Sequence, residues 1–132
     1  MKNLEMQRET FMREPWNKRL THLATSLQKI DLFSIDDKQK EAVREVIEQS
    51  RWYIEWTARE VCEVNVENAA ELVDVARELT SWLFDWDNHW NDSKNREIMR
   101  QQAKAWSERV FKMSQLLYHA EPDVGKVAEP KP

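Results

Sequence analysis

Glycine is almost missing from this chain. The one residue among 132 is Gly125, in a tail rich in Pro, Glu and Lys. Glycine supplies the positive-φ positions that tight hairpins, phosphate-cradling loops and dinucleotide fingerprints require. Its absence up to Val124 leaves helices joined by short turns as the practical architecture. Cysteine is equally scarce: Cys62 stands alone, so no internal disulfide can form and a reducing compartment fits best. Long apolar runs are missing too. No window reaches the length of a membrane span, and the run from Met1 to Arg8 is charged, with no apolar signal region. The expectation is a cytoplasmic protein that does not engage membranes.

Basic charge is short over one stretch and abundant in the next. Between Val61 and Asp92 the only basic side chain is Arg77, set among Glu63, Glu67, Glu71, Asp74, Glu78, Asp85, Asp87 and Asp92. From Ser93 to Ala120 the balance inverts, with Lys94, Arg96, Arg100, Lys104, Arg109 and Lys112 facing only Glu97 and Glu108. Such complementary flanks suit two neighbouring antiparallel helices. They also neutralise the basic helix, and with a net charge of −4 the chain is not expected to bind nucleic acid.

What is present recurs at helical spacing. Apolar residues follow a mixed three- and four-residue step, not the alternation of a strand. A first long helix is predicted from Pro15, with Trp16, Leu20, Leu23, Leu27 and Ile30 inward. Ser34 or Asp36 is the candidate cap of a second, over about 37–63, carrying Val43, Val46, Ile47, Ile54, Ala58 and Val61. Asn65 is the cap expected for a third, which bears Ala69, Leu72, Ala76, Leu79, Leu83, Trp86 and Trp90. After a break at Asn91-Asp92-Ser93, a fourth shows Met99, Ala103, Trp106, Val110, Met113 and Leu117 and is predicted to stop at Glu121-Pro122. Short connections make neighbours antiparallel. The fold class expected is therefore all-α, an up-down-up-down four-helix bundle over 15–120. Residues 1–14 form an N-terminal segment with room for a short helix, and 121–132 read as a disordered tail.

Seven tryptophans are unusual for such a chain. By helical phase, Trp86, Trp90 and Trp106 fall within the apolar stripes, with Trp82 on a flank and Phe111 and Tyr118 along one edge. These read as core or core-margin residues. The second long helix departs from that pattern. Trp52 lies close to the face opposite Val43, Ile54 and Val61, and Trp56 is about 140° away from those three by the same geometry. Tyr53 sits between that face and the core, and Glu45, Gln49, Arg59 and Glu63 surround them. Two indoles one turn apart on a polar face suit an interaction patch, since Trp, Tyr and Arg dominate binding hot spots. The candidate partner-binding residues are Trp52, Tyr53, Trp56 and Arg59. The partner is another protein or a second copy, with homodimerisation favoured; the competing expectation is that the segment around Leu4 and Phe11 folds back as a cover.

Catalytic candidates are few. Glu60-x-x-Glu63 ends the second long helix and Glu71-x-x-Asp74 begins the third, so both pairs can approach across the hairpin. Oxygen ligands of this kind hold Mg²⁺ for phosphate chemistry. With Leu72-Val73-Asp74-Val75, the pattern is similar to the all-α nucleotide pyrophosphohydrolases of the MazG type, in which a Glu-Glu-x-x-Glu stretch precedes a Glu-x-x-Asp on a neighbouring helix. Arg59 stands where that motif has its first Glu. The resemblance implies an alternative: a Mg-dependent hydrolase with Glu60, Glu63, Glu71 and Asp74 as metal ligands. By phase, however, all four carboxylates fall outside the apolar stripes, and the helix dipole favours acids at an N-terminus. Asp85 and His89, four apart, form a possible two-ligand face, while Cys62 reads as a buried or semi-buried thiol. No cofactor is expected. The primary reading is a non-catalytic bundle acting through protein contact.

Overall fold

The computed structural model describes residues 3–126, with side chains from Asn3 to Gln115. Among these are six helices and no strand: α1 (Leu4–Met12), α2 (Trp16–Phe33), α3 (Lys40–Val64), α4 (Val66–Phe84), α5 (Trp86–Asn91) and α6 (Ser93–Lys126). None of the described residues takes a positive φ. That is the backbone counterpart of a sequence almost without glycine.

The predicted stripes form the core. Leu20, Leu23, Leu27 and Ile30 of α2 meet Val43, Ile47, Ile54 and Val61 of α3, Leu72 and Leu79 of α4, and Met99, Ala103 and Val110 of α6. Side-chain contacts fix how these helices meet. Ser26 and Ser50 share a buried hydroxyl hydrogen bond of 2.7 Å between α2 and α3. The Ser107 hydroxyl donates to the Ala24 carbonyl, and Arg100 donates to Asp31, so α6 lies along α2. Arg51 reaches Thr80 across α3 and α4. Glu71 and Arg109 bridge α4 and α6, where the acidic and basic flanks were expected to face each other.

Helix ends follow local chemistry with one exception. Asn65 caps α4 as predicted, its side chain accepting from the Asn68 amide at 3.0 Å. Asp92 accepts from the amides of Lys94 and Asn95, which opens α6. Neither Ser34 nor Asp36 caps α3. The Ser34 hydroxyl donates back to the Ile30 carbonyl and Asp36 accepts from the Lys38 amide, so both satisfy the preceding turn, and α3 starts after Gln39 without a side-chain cap.

Two boundaries differ from the sequence reading. The helix expected to run unbroken to Trp90 is interrupted at Asp85 (φ −132°, ψ 56°), which separates α4 from α5. Asp and Asn, three of the four residues in the Asp-Trp-Asp-Asn run, are weak helix formers, and at the break the Asn88 side chain donates to both Asp85 carboxylate oxygens. Beyond the predicted stop at Glu121-Pro122, α6 continues to Lys126. Pro122 forfeits one intrahelical donor. Residues 127–132 of the expected disordered tail, and the side chains of Leu117 and Tyr118, lie outside the described residues.

Candidate functional site

The outer face of α3 is set by its own period. Each buried position (Val43, Ile47, Ser50, Ile54, Thr57, Val61) leaves the residues half a turn away in solvent, and Trp52, Glu55, Arg59 and Glu63 fall there. Trp52 is 39% exposed. Its indole stacks on Trp56 with centroids 5.7 Å apart. The two rings form a step on an otherwise polar surface.

The N-terminal segment covers part of this step. Phe11 is the one buried residue of α1 and lies flat against Tyr53, at 4.2 Å and 1° between ring planes; it also touches Trp56 at 5.8 Å. Burial accordingly pushes the Tyr53 hydroxyl above its ordinary value. Trp56 is half-buried as a result, and Trp52 stays outside the cover. α1 thus shields Tyr53 and one side of Trp56, and leaves Trp52 to solvent.

A buried arginine holds this arrangement. Arg19, 3% exposed, donates to the Glu14 and Trp56 carbonyls at 2.9 and 3.1 Å and pairs with Glu60. One guanidinium therefore ties the turn before α2 to the middle of α3. Sequence reading passed over it, although a signal exists: position 19 lies three residues after Trp16 and four before Leu23, an inward phase on which a charge needs a partner. Grooves flank Trp52 on both sides. One runs toward α4, past Val73, Arg77 and Thr80, and the other toward α1, past Arg8, Met12 and Arg59.

The four carboxylates of the hydrolase alternative are not brought together. Glu60 turns to Arg19 on α2, Glu71 makes a two-pronged pair with Arg109 on α6 at 2.8 Å, Asp74 pairs with Arg77, and Glu63 is exposed. The Glu71 carboxylate raises the Arg109 guanidinium above its ordinary value, chiefly through the hydrogen bond. Among the described residues no group of three or more His, Cys, Asp or Glu side chains is placed to hold a metal ion. Three of the four acids thus face an arginine and Glu63 faces solvent, in keeping with their phase outside the apolar stripes.

The second polar cluster also separates. Asp85 sits at the helix break, where its carboxylate accepts from Asn88, while the His89 ring stacks against Trp82 at 5.7 Å and Trp86 at 6.4 Å. Burial pushes the His89 imidazole below its ordinary value, against the opposing pull of Glu78, Asp85 and Asp92. Asp87 is held below the usual carboxylate range by its hydrogen bond to Lys40. At the end of α5, Arg96 donates to the Trp90 carbonyl at 3.0 Å and lies over its ring, answering the acidic excess near that terminus.

Three side chains depart from their expected burial. Cys62 is exposed, because it stands seven residues after Glu55 on the same outer line; its residue type had suggested otherwise. Phe111 is exposed beside the buried Val110, about one-quarter turn around α6. Trp82 is fully part of the core, since Trp106 stacks on it at 5.3 Å. Sequence reading also missed Phe84, 92% exposed at the helix break, where its neighbours Leu83 and Asp85 gave no phase signal.

No protein-family model, curated protein or solved structure matches the chain. No helix among the described residues is long and apolar enough to cross a membrane.

Proposed function

We propose that this is a non-catalytic cytoplasmic docking protein, in which α3 presents Trp52, the open side of Trp56 and Arg59 to another protein or to a second copy of the chain, with Tyr53 behind them under α1. The scaffold in this reading is an up-down-up-down four-helix bundle of α2, α3, α4 and α6. Its support is the order of the contacts. Along α2, Arg19 and Ser26 meet Glu60 and then Ser50 of α3, and Ala24 and Asp31 meet Ser107 and then Arg100 of α6. Each partner number falls as the α2 number rises, as antiparallel neighbours require.

One observation carries the functional reading: Trp52 stays open to solvent, stacked on the half-buried Trp56, although α1 already covers the adjacent Tyr53. Large aromatic side chains bury substantial area with little entropy to lose, which is why they anchor interfaces. The hydrolase alternative gains no support from four acids of which Glu60, Glu71 and Asp74 are each paired with a different arginine and Glu63 stands exposed apart from them.

The direct test is the Trp52→Ala/Trp56→Ala double variant. Helicity by circular dichroism should be unchanged, while association weakens by about 2 kcal/mol or more. A double variant with the wild-type solution mass and the wild-type set of partners refutes the reading.

A further inference from the structure

Four charges recur along the outer side of α3 at every fourth residue with alternating sign: Arg51, Glu55, Arg59 and Glu63. That spacing normally favours ion pairs within a helix. Here none forms. Arg51 donates to the Thr80 hydroxyl, and among the described residues Glu55, Arg59 and Glu63 enter no ion pair. Trp52 and Trp56 each stand one residue beyond a member of the row and form the exposed aromatic step beside it.

We propose that two copies of the chain associate by packing α3 against α3 in opposite directions, about a two-fold axis that passes between Glu55 and Arg59 on the outer face, at the level of position 57. This rests on the docking reading above and names its partner. Reversal about position 57 sets Arg51 against the second copy's Glu63 and Glu55 against the second copy's Arg59, and the symmetry repeats both pairs. All four facing pairs are complementary. A parallel arrangement sets like against like along the whole row, which is destabilising. Self-complementarity under reversal is what a two-fold interface demands of a single surface.

The packing geometry agrees with this arrangement. Residues four apart form the ridge that most often interdigitates between helices, at crossing angles near −50°. Contact then concentrates near the axis, on Glu55, Trp56 and Arg59, with Trp56 beside the second copy's guanidinium. Away from the axis the crossing helix passes over the grooves beside Trp52, where Val73 on one side and Met12 on the other supply apolar rims. A polyanion such as single-stranded nucleic acid fits less well. The row has as many carboxylates as guanidinium groups, so a phosphate chain meets a like charge at every second position.

Sedimentation equilibrium of the full chain tests the proposal, with circular dichroism to establish that each variant is folded. The wild type should dimerise, and more weakly as salt is raised. Arg59→Glu turns both central pairs into repulsions and should weaken the dimer by about tenfold or more. Glu55→Arg/Arg59→Glu restores opposite charges across the axis and should return affinity to within about threefold of wild type. A wild type that stays monomeric, or a double variant no better than the single one, overturns the two-fold arrangement. If the wild type is monomeric yet binds a different protein through Trp52 and Trp56, this proposal fails while the docking reading stands. A polyuridylate oligonucleotide in place of the second copy is the control, and saturable binding that competes with self-association also overturns it.

Discussion

Two sets of tryptophans in this chain meet opposite fates. Trp82, Trp86 and Trp90 are buried at the end of α4 and in α5, and Trp106 of α6 stacks on the first of them. Trp52 and Trp56 stack on each other equally well, yet on the outside of α3. Stacking itself does not separate the two sets. What differs is the surroundings: the buried set has His89 and Arg96 against its rings, whereas the outer set has Glu55, Arg59 and Glu63, which enter no ion pair among the described residues. Indole rings gain from burial, so an indole pair left on the outside among charged side chains is the unusual one.

The sharpest way to break this comparison is to remove one ring from each set. Trp90→Ala empties a site only 2% exposed and should destabilise the fold by about 3–5 kcal/mol in urea unfolding. A loss below about 1 kcal/mol would mean that the inner cluster is not part of the cooperative core. Arg19→Ala comes next. It leaves the Trp56 carbonyl and the Glu60 carboxylate without their donor and should cost about 2 kcal/mol. It should also free α1, seen as a solvent-exposed shift in tryptophan emission; unchanged emission would show that Phe11 alone holds the cover. Trp52→Ala is expected to change unfolding stability by no more than about 0.5 kcal/mol. A larger loss would make Trp52 a core residue like its counterparts.

The smallest effect is a pH dependence confined to the inner set. His89 resists protonation in the folded state because burial disfavours its charge, whereas the unfolded chain takes up the proton near the ordinary value of 6.5. Its contribution to stability is therefore complete above that pH and declines as pH falls below it. Melting temperatures of His89→Gln should show a flatter acid limb than wild type over that range. An identical limb would mean that His89 carries no part of the acid response.

Much of the scaffold was legible without coordinates. The core positions of α2, α3 and α6 follow directly from a three- and four-residue step, and Asn65 and Asp92 cap helices because their short oxygens reach amides two or three residues away. The outward phase of Trp52 is legible for the same reason. The break at Asp85 was harder to see, since apolar periodicity continues across it and only the local Asp/Asn run signals the interruption. Cys62 was misplaced because residue type was weighed above phase. The engagement of Glu60 by Arg19 and of Glu71 by Arg109 could not be read at all, as sequence separation says nothing about which of several arginines lies opposite a given acid.

Sequence alone determined that this chain is helical, where most of its apolar stripes lie and which aromatic pair faces away from them. Those properties depend on backbone freedom and on local period, both carried by neighbouring residues. Only the tertiary structure decided that Phe11 shields Tyr53 but not Trp52, that a buried guanidinium pins α1 to α3, and that the candidate metal acids are dispersed. Each of these depends on which helix sides meet, a choice made by packing the whole chain at once.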